Sequence, residues 1–161
     1  MSDLLTNIDI MYFANKLNIP LHGVYQKDIF VQLQPVYGGY VINLQSSYAG
    51  NGTHWVCLAI RDDYAIYFDS FGLSIPQVII EFILKSKTKL KIIYSSDQIQ
   101  HIKSIRCGYF CIYFLYFMLV LYPTKPVKYL INKHNAIFTL NDKKLNDKII
   151  QQLIKSLFSN L

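Results

Sequence analysis

The chain has 161 residues, of which 52% are hydrophobic and 16% charged, and its formal net charge at pH 7 is +6. This length suits one domain with a single substantial core, and this composition excludes an intrinsically disordered chain. The positive charge favours acidic partners, nucleic acid first among them, although an ordinary solvated basic surface explains it equally well. We therefore predict that residues 1–161 form a single domain.

The first third of the chain predicts one helix and one strand. Apolar residues share a face over Thr6–Leu17, which predicts a short helix that ends at Asn18-Ile19-Pro20. Residues 21–37 give mixed signals, and we expect a loop followed by a short extended piece. Gly38-Gly39 marks a turn, after which Tyr40–Leu44 is a predicted strand.

A β-hairpin is predicted in the middle of the chain. β-branched and apolar residues predict a strand over His54–Ile60, residues 61–63 predict a turn, and Tyr64–Asp69 is the predicted returning strand. A helix capped by Ser74 and a further strand over Lys89–Tyr94 are expected to follow.

The remainder is predicted to be mostly helical. Residues 95–106 are polar and loop-like, and Cys107 begins an uncharged, largely apolar run of 16 residues that ends before Pro123. Because a bilayer span needs roughly 20 residues, we expect a buried central helix and no membrane segment. An amphipathic helix over about Asn141–Ser159 follows. The order of elements predicts the α+β class, with a mostly antiparallel central sheet packed against helices.

Cysteine usage and the N-terminal stretch bear on the compartment. Cys57, Cys107 and Cys111 are an odd and small number of cysteines, which does not fit a secreted disulfide framework and favours a reducing compartment. The stretch MSDLLTNIDIM carries Asp3 and Asp9 and no basic residue, so it does not predict a signal peptide.

Three side chains from separate elements are predicted to meet at one edge of the sheet. His54 begins one hairpin strand and Asp69 ends the next, so antiparallel pairing sets an imidazole beside a carboxylate. The carboxylate can hold one ring nitrogen and leave the other free to act as a base. Cys107 lies at a predicted helix N-terminus, where unpaired N–H groups and a nearby imidazolium favour the thiolate.

Two further residues extend this predicted site. Gly108 leaves room for the backbone of a substrate to approach, and the free N–H groups at the helix N-terminus can stabilise a tetrahedral oxyanion. Gln100, in the polar loop upstream, can add a side-chain amide donor.

Each of these residues also has an ordinary structural explanation. Alone, His54 is a satisfied strand histidine, Asp69 a turn residue and Cys107 a small buried hydrophobe. Zinc is a rival use of the same atoms, since His54, Cys57, Cys107 and Cys111 supply four potential ligands. However, His54 and Cys57 point to opposite faces of one strand, so we predict no metal site.

Four features of the sequence together resemble a known family. They are GTHWVCLAI at residues 52–60, YFDSFG at residues 67–72, Gln100, and CGYFCIYFL at residues 107–115. The combination resembles the adenovirus-type maturation proteases, which belong to the Ulp-like clan of cysteine peptidases. The resemblance covers about residues 20–122. It implies a papain-like, Ulp-like fold with the nucleophile at the N-terminus of a buried central helix.

The resemblance implies a role for each catalytic residue. His54 is the general base and the ion-pair partner of the thiolate, Asp69 orients the ring, and Cys107 is the nucleophile. Gln100 supplies an oxyanion donor, with the backbone N–H of Cys107 as the second, and Gln98 takes this role if the loop register differs. Trp55 packs beside the catalytic centre and, with Gly108, is a candidate substrate-binding residue, although a plain core tryptophan is equally compatible with the pattern.

The interval between Gln100 and Cys107 indicates the type of relative. It is seven residues, as in the viral enzymes, and one residue longer than is usual in proteases that process SUMO or ubiquitin. We therefore expect a viral or virus-like-element cysteine endopeptidase that cleaves capsid or core precursor proteins at glycine-containing sites. The alternatives are a deconjugating protease for ubiquitin-like modifiers, an acetyltransferase, and a non-catalytic binding module of the same fold.

The resemblance also bears on cofactors and location. No cofactor is required for the chemistry, and DNA or an activating peptide are the candidate activators. A disulfide-linked peptide is not expected, because residues 87–91 lack the cysteine that the adenoviral enzymes use. The expected protein is a monomer in the nucleus or viral factory of an infected cell and in the virion.

Alternating lysines supply the candidate surface for viral DNA. If their segment is extended, they line one face and can contact phosphates, although lysines that protect an edge strand explain the pattern as well. These residues are Lys85, Lys87, Lys89 and Lys91.

Overall fold

The computed structural model of the protein describes residues 4–48 and 54–159. The strands are β1 (Leu21–Gln26), β2 (Gly38–Asn43), β3 (Trp55–Arg61), β4 (Tyr64–Phe68) and β5 (Lys91–Tyr94). The helices are α1 (Asn7–Lys16), α2 (Lys27–Phe30), α3 (Gln77–Leu84), α4 (Cys107–Tyr116), α5 (Val127–Asn135) and α6 (Lys143–Ser159). A π-helical segment, Phe117–Leu121, continues directly from α4.

The five strands form one sheet in the order β1-β2-β3-β4-β5. The two central pairings, β2 with β3 and β3 with β4, are antiparallel. The two outer pairings, β1 with β2 and β4 with β5, are parallel, because helices α2 and α3 lie in the connections that carry the chain back. The α+β class is confirmed, but the sheet is mixed and not mostly antiparallel as predicted.

The sheet is covered on both faces, so alternate residues of its strands enter two separate hydrophobic clusters. Val41, Cys57 and Phe68 face the cluster that contains α4 and residues of α1 and α6. Tyr40 and Leu58 face the other cluster, which contains residues of α2 and α3. This two-sided burial explains why β2 and β3 are nearly continuous apolar runs in the sequence.

Helix α4 is the buried central helix that the sequence predicts. Nine of its residues, 107–115, are buried. Among the residues that the structure describes, no helix has both the length and the apolar character needed to cross a membrane.

Arg61 stabilises the end of this helical run. The sequence predicts a turn at Arg61, yet the residue ends β3 and is only 5% exposed. Its guanidinium donates hydrogen bonds to the carbonyl oxygens of Met118 and Tyr122, at 2.8 and 3.2 Å. It also donates to those of Pro123 and Lys125, both at 2.7 Å. One side chain therefore satisfies four carbonyl groups where the π-helical segment gives way to the following turn.

The N-terminal helix follows its sequence signals. Helix α1 spans Asn7–Lys16, and the Thr6 hydroxyl accepts a hydrogen bond from the backbone N–H of Asp9 while the Asp9 carboxylate accepts one from the N–H of Thr6. This reciprocal pair is a capping box, which explains the sharp start of the helix.

Several other predicted elements are wrong. Residues 21–30 form β1 and α2 and residues 31–37 form a loop, whereas a loop followed by an extended piece was predicted, and Gly38-Gly39 begins β2 where a turn was predicted. Pro76 and not Ser74 is the N-cap of α3. Helix α5 was not predicted at all.

Candidate active site

The predicted site residues lie at one end of the sheet. His54 immediately precedes β3, and its carbonyl oxygen accepts a hydrogen bond from the N–H of Leu44, just after β2. Asp69 immediately follows β4, and Cys107 is the first residue of α4. The structure therefore brings together the three side chains that the strand pattern predicts to meet. Gly52-Thr53 of the same motif lies outside the described residues.

His54 and Asp69 form a buried pair. His54 Nε2 lies 2.8 Å from Asp69 Oδ1, and the side chains are 14% and 0% exposed. Asp69 Oδ1 also accepts a hydrogen bond from the backbone N–H of Phe71, at 2.8 Å. The Phe71 ring packs on the imidazole with 4.8 Å between centroids. The ring of His54 is thus fixed both at its edge and on its face.

The Cys107 thiol lies close to the same imidazole. Its Sγ accepts a hydrogen bond from the backbone N–H of Trp55 at 3.5 Å. Burial lowers the pKa of His54, but the hydrogen bond to Asp69, the proximity of the Cys107 side chain and the charges of both groups outweigh it and raise the pKa to about 9. A pKa of about 9 favours the protonated imidazole at neutral pH.

Gln100 is held against the segment that carries Asp69. It is fully buried, and its Oε1 accepts a hydrogen bond from the Ser70 hydroxyl at 2.5 Å. Its Nε2 donates one hydrogen to the carbonyl of Ser104 at 2.8 Å, which leaves the second hydrogen of the amide for another acceptor. Gln98 donates to the backbone carbonyl of Gln100, so it supports the loop.

Trp55 connects the catalytic strand to the N-terminal segment. Besides its backbone contact with Cys107, its carbonyl accepts a weak hydrogen bond from Cys111 Sγ at 3.4 Å. Its indole Nε1 donates to the carbonyl of Leu5 at 3.1 Å, and the side chain packs against the core. Trp55 therefore lies beside the candidate catalytic centre and is also a core residue.

Gly108 has a different role from the one predicted. A Cβ atom at this position would lie 3.1 Å from Leu5 Cβ and 3.3 Å from Leu5 Cδ1. The space beside Gly108 is thus occupied by a side chain of the protein, and Leu5 is only 3% exposed. The structure explains the glycine by the close approach of Leu5 and does not support the expected substrate contact.

The other two cysteines are buried and have no disulfide partner. Cys57 lies in the sheet core, and its Sγ donates a weak hydrogen bond to the carbonyl of Cys111 at 3.8 Å. Burial raises the pKa of Cys111 well above its ordinary value, and a thiol that stays protonated is a poor nucleophile. Within residues 4–48 and 54–159, no group of three or more His, Cys, Asp or Glu side chains could hold a metal ion.

The predicted lysine stripe does not form. Only Lys91 lies in β5, where it pairs with Asp63 at 2.5 Å. Lys85 follows α3, and its ammonium donates hydrogen bonds to the backbone carbonyls of Val31 and Leu33. Lys87 and Lys89 are exposed in the loop between these elements. Two of the four lysines therefore already have partners within the protein.

Sequence reasoning missed two residues that organise the site. Ser70 and Phe71 directly follow Asp69, and they hold the Gln100 amide and the His54 ring respectively. Their signal was the YFDSFG motif itself, in which only Asp69 was assigned a role. The contact of Leu5 with Trp55 and Gly108 has no comparable signal in the sequence.

Comparison with known proteins gives one family match and two similar structures. The family model described as adenovirus endoprotease matches residues 21–160. The crystal structure of the African swine fever virus (ASFV) pS273R protease is 20% identical to this chain with a TM-score of 0.49, and the match covers 70% of this chain and 56% of that one. Its Se-Met crystal structure is 18% identical with a TM-score of 0.45, covering 81% of this chain and 65% of that one.

The chain spans 56% and 65% of the lengths of those two structures. No curated protein matches it. The family match, by contrast, extends from β1 through α6 and includes His54, Asp69 and Cys107. The chain belongs to the adenovirus endoprotease family, as the motifs around these three residues predicted.

Proposed function

We propose that the protein is a cysteine endopeptidase in which Cys107 is the nucleophile, His54 the general acid and base, and Asp69 the carboxylate that orients it. The observation that carries the proposal is the position of the His54 ring. Its Nε2 is bound to buried Asp69, while Nδ1 is buried and has no nitrogen or oxygen partner among the described residues. Contact with Cys107 contributes to the raised pKa of the ring, which supports Nδ1 as the atom that exchanges a proton with the thiol.

The proposed reaction is acyl transfer in two steps. The Cys107 thiolate attacks the scissile carbonyl carbon, and collapse of the tetrahedral intermediate breaks the C–N bond while the His54 imidazolium gives its proton to the leaving amine. Water then attacks the thioester, neutral His54 takes a proton from that water, and the acid product leaves as the thiolate re-forms. Gln100 and the N–H of Cys107, at the start of α4, are the proposed donors to the oxyanion.

The proposed substrates are capsid or core precursor proteins of a virus or virus-like element, cleaved at glycine-containing sites. Membership of the adenovirus endoprotease family supports this class of substrate. Consistent with that setting, we propose action in the nucleus or viral factory of an infected cell and in the virion, as a monomer.

The decisive experiment compares two cysteine variants. Co-expression with candidate precursor proteins, followed by mass spectrometry of new termini, should show cleavage by the native chain and none by Cys107→Ala. The matched control is Cys111→Ala, one helical turn away, which should retain cleavage. Activity that survives in Cys107→Ala and disappears in Cys111→Ala would overturn the assignment. Release of a fluorophore from the Gly-Gly tail of a ubiquitin-like modifier, without precursor cleavage, would indicate a deconjugating protease.

We further propose DNA or a non-covalently bound peptide as the activator. The net charge of +6 and the exposed Lys87 and Lys89 support a contact with phosphates. Adding duplex DNA at low salt should raise the cleavage rate, and a Lys87→Gln/Lys89→Gln variant should respond less. A rate that stays constant at every DNA concentration would exclude DNA as the activator.

A further inference from the structure

A buried asparagine of the C-terminal helix contacts the loop that carries Gln100. Asn146, on α6, is fully buried. Its Nδ2 donates hydrogen bonds to the carbonyls of Ile99, at 2.9 Å, and Thr139, at 2.6 Å. Its Oδ1 accepts one from the N–H of Thr139, also at 2.9 Å. The amide therefore joins the turn before α6 to the residue that immediately precedes Gln100.

The same loop is also held by Ser70, in the turn that follows β4 and Asp69. The N–H groups of Ile99 and Gln100 both donate to the carbonyl of Ser70, at 3.0 and 2.9 Å. The Gln100 side chain lies between the Ser70 hydroxyl and the carbonyl of Ser104. The direction of the Gln100 amide thus depends on Ser70 and Ser104, which bind it, and on the backbone at Ile99, which fixes where Gln100 begins.

Helix α6 also contacts the far end of this loop, through Asp147. Burial raises the pKa of the Asp147 carboxyl, against hydrogen bonds from the Ser104 side chain and the His101 backbone and the charges of Arg106 and His101. Consecutive residues of α6 therefore contact the loop on both sides of Gln100: Asn146 at Ile99, which precedes it, and Asp147 at Ser104, whose carbonyl accepts from the Gln100 amide.

We infer that Asn146 is a positioning residue for the oxyanion donor Gln100, and that Asp147 assists it. The inference rests on the proposed function, because it concerns the same reaction. None of the hydrogen bonds of Asn146 goes to His54, Asp69 or Cys107. Loss of the Asn146 hydrogen bonds should therefore leave Cys107 and His54 in place and weaken only the stabilisation of the transition state.

Asn146→Asp is the most informative variant. It keeps the shape of the side chain and the oxygen that accepts from Thr139, but it sets a second oxygen against the carbonyls of Ile99 and Thr139. The matched control is Asn132→Asp, which makes the same chemical change at an exposed position of α5. Gln100→Ala removes the amide that Asn146 is inferred to position.

The experiment measures kcat and KM on a peptide substrate, together with the rate of Cys107 alkylation by iodoacetamide as a function of pH. Asn146→Asp should lower kcat about 10-fold or more with little change in KM, towards the loss of about 100-fold or more expected for Gln100→Ala. Its alkylation profile should match that of the native chain. Because both changes act through one amide, the double variant should be no slower than Gln100→Ala alone. Asn132→Asp should behave as the native chain.

Three outcomes overturn the inference. They are a native kcat in folded Asn146→Asp when Gln100→Ala is impaired, an altered alkylation profile, and fully multiplicative losses in the double variant. If Asn146→Asp does not fold, Asn146→Ala, which removes the donor to Ile99 without burying a new oxygen, gives the same test, and a native kcat there also overturns the inference. Full activity of Cys107→Ala would instead refute the proposed function, whatever the result at Asn146.

Discussion

The carboxylate of Asp69 lies 2.8 Å from Nε2 of His54. The carboxylate is fully buried, whereas the imidazole is slightly exposed. This arrangement orients the ring so that Nδ1 is the nitrogen left for Cys107. A buried carboxylate also stabilises the protonated ring, since water cannot screen the pair. The geometry thus assigns two effects to Asp69: it fixes the ring and it keeps the ring charged.

Asp69→Asn should separate these effects, because the amide keeps the shape and loses the charge. We expect kcat to fall by about 10²–10⁴ and the alkaline limb of the pH–rate profile to move to lower pH. Steady-state kinetics across pH measure both. Asp63→Asn, at an acid that is 52% exposed, is the control and should have native kinetics. An unchanged kcat in Asp69→Asn would show that the carboxylate has only a structural role.

The pH window of activity should follow the His54 ring. Its pKa is raised from 6.5 to about 9, so the imidazolium that protonates the leaving amine disappears as pH rises through about 9. The accompanying stabilisation of the fold is complete below about 6.5 and fades between about 6.5 and 9. A profile of kcat/KM from pH 5 to pH 10 should therefore show a fall centred near pH 9, whereas a fall near pH 6.5 would contradict the raised pKa.

The Phe71 ring should contribute to this raised pKa. It lies 4.8 Å from the imidazole, within the range at which an aromatic face stabilises a cation by about 0.5–2 kcal/mol. Phe71→Leu should move the alkaline limb down by about 0.5–1 pH unit, whereas Phe71→Tyr should leave it in place. Equal profiles for the two variants would show that the ring only fills space.

Gly108→Ala should change the free energy of unfolding in opposite directions with and without the Leu5 side chain. Alanine at a helical glycine normally stabilises by up to about 1 kcal/mol, but here its Cβ would lie 3.1 Å from Leu5 Cβ. Gly108→Ala should therefore destabilise the native chain by about 1–3 kcal/mol and stabilise a Leu5→Gly background, which lacks the Leu5 Cβ atom as well as the rest of that side chain. Denaturant unfolding of the four chains measures this coupling. Equal effects of Gly108→Ala in both backgrounds would show that Leu5 does not limit the space.

The parts of the site that sequence reasoning placed depend on local rules. His54 precedes and Asp69 follows two consecutive strands joined by a tight turn, so antiparallel pairing brings them to the same end of the sheet. Cys107 was placed by the change from a polar loop to an apolar run. Such patterns depend on neighbours in the sequence, and a single chain contains all the information that they need.

The parts that were missed depend on contacts between distant segments. Leu5 meets Trp55 across 50 residues, and Asn146 meets Ile99 across 47, without any periodicity that would indicate either pairing. Strand β1 was missed because its residues are only partly buried or exposed and do not alternate between apolar and polar. The parallel pairings of β1 with β2 and of β4 with β5 depend on crossover connections, whose direction the strand patterns do not encode.

Arg61 offers a test of one such distant contact. Its guanidinium satisfies four carbonyl groups around the end of the π-helical segment, and its loss would leave buried acceptors without donors. Arg61→Met should lower the free energy of unfolding by about 3–5 kcal/mol, and Arg61→Lys by less, since an ammonium cannot reach all four oxygens. Chemical denaturation at pH 7 measures the difference. A loss below about 1 kcal/mol for Arg61→Met would show that water replaces these bonds without cost.

The buried histidine of α5 should make the fold sensitive to acid. His134 is 1% exposed, and its Nε2 has no hydrogen-bond partner among the described residues. The aromatic rings around it are Phe68, Tyr113, Phe114, Phe117 and Phe138. Burial lowers the pKa of His134 from 6.5 to about 4, despite a long hydrogen bond with the Asn135 side chain. The folded chain therefore holds this ring neutral where the unfolded chain protonates it.

Because the pKa of His134 is lowered in the folded chain, the contribution of its neutral ring to stability is fully present above about pH 6.5. That contribution is lost as pH falls towards about 4. The difference corresponds to a loss of about 3 kcal/mol at the acid end of this range. His134→Leu removes the titrating group, so its free energy of unfolding should vary less between pH 7 and pH 4 by about that amount. His22→Gln, at an exposed histidine, is the control and should keep the native dependence. Parallel pH curves for His134→Leu and the native chain, measured by urea unfolding, would show that the ring is protonated without cost inside the aromatic cluster.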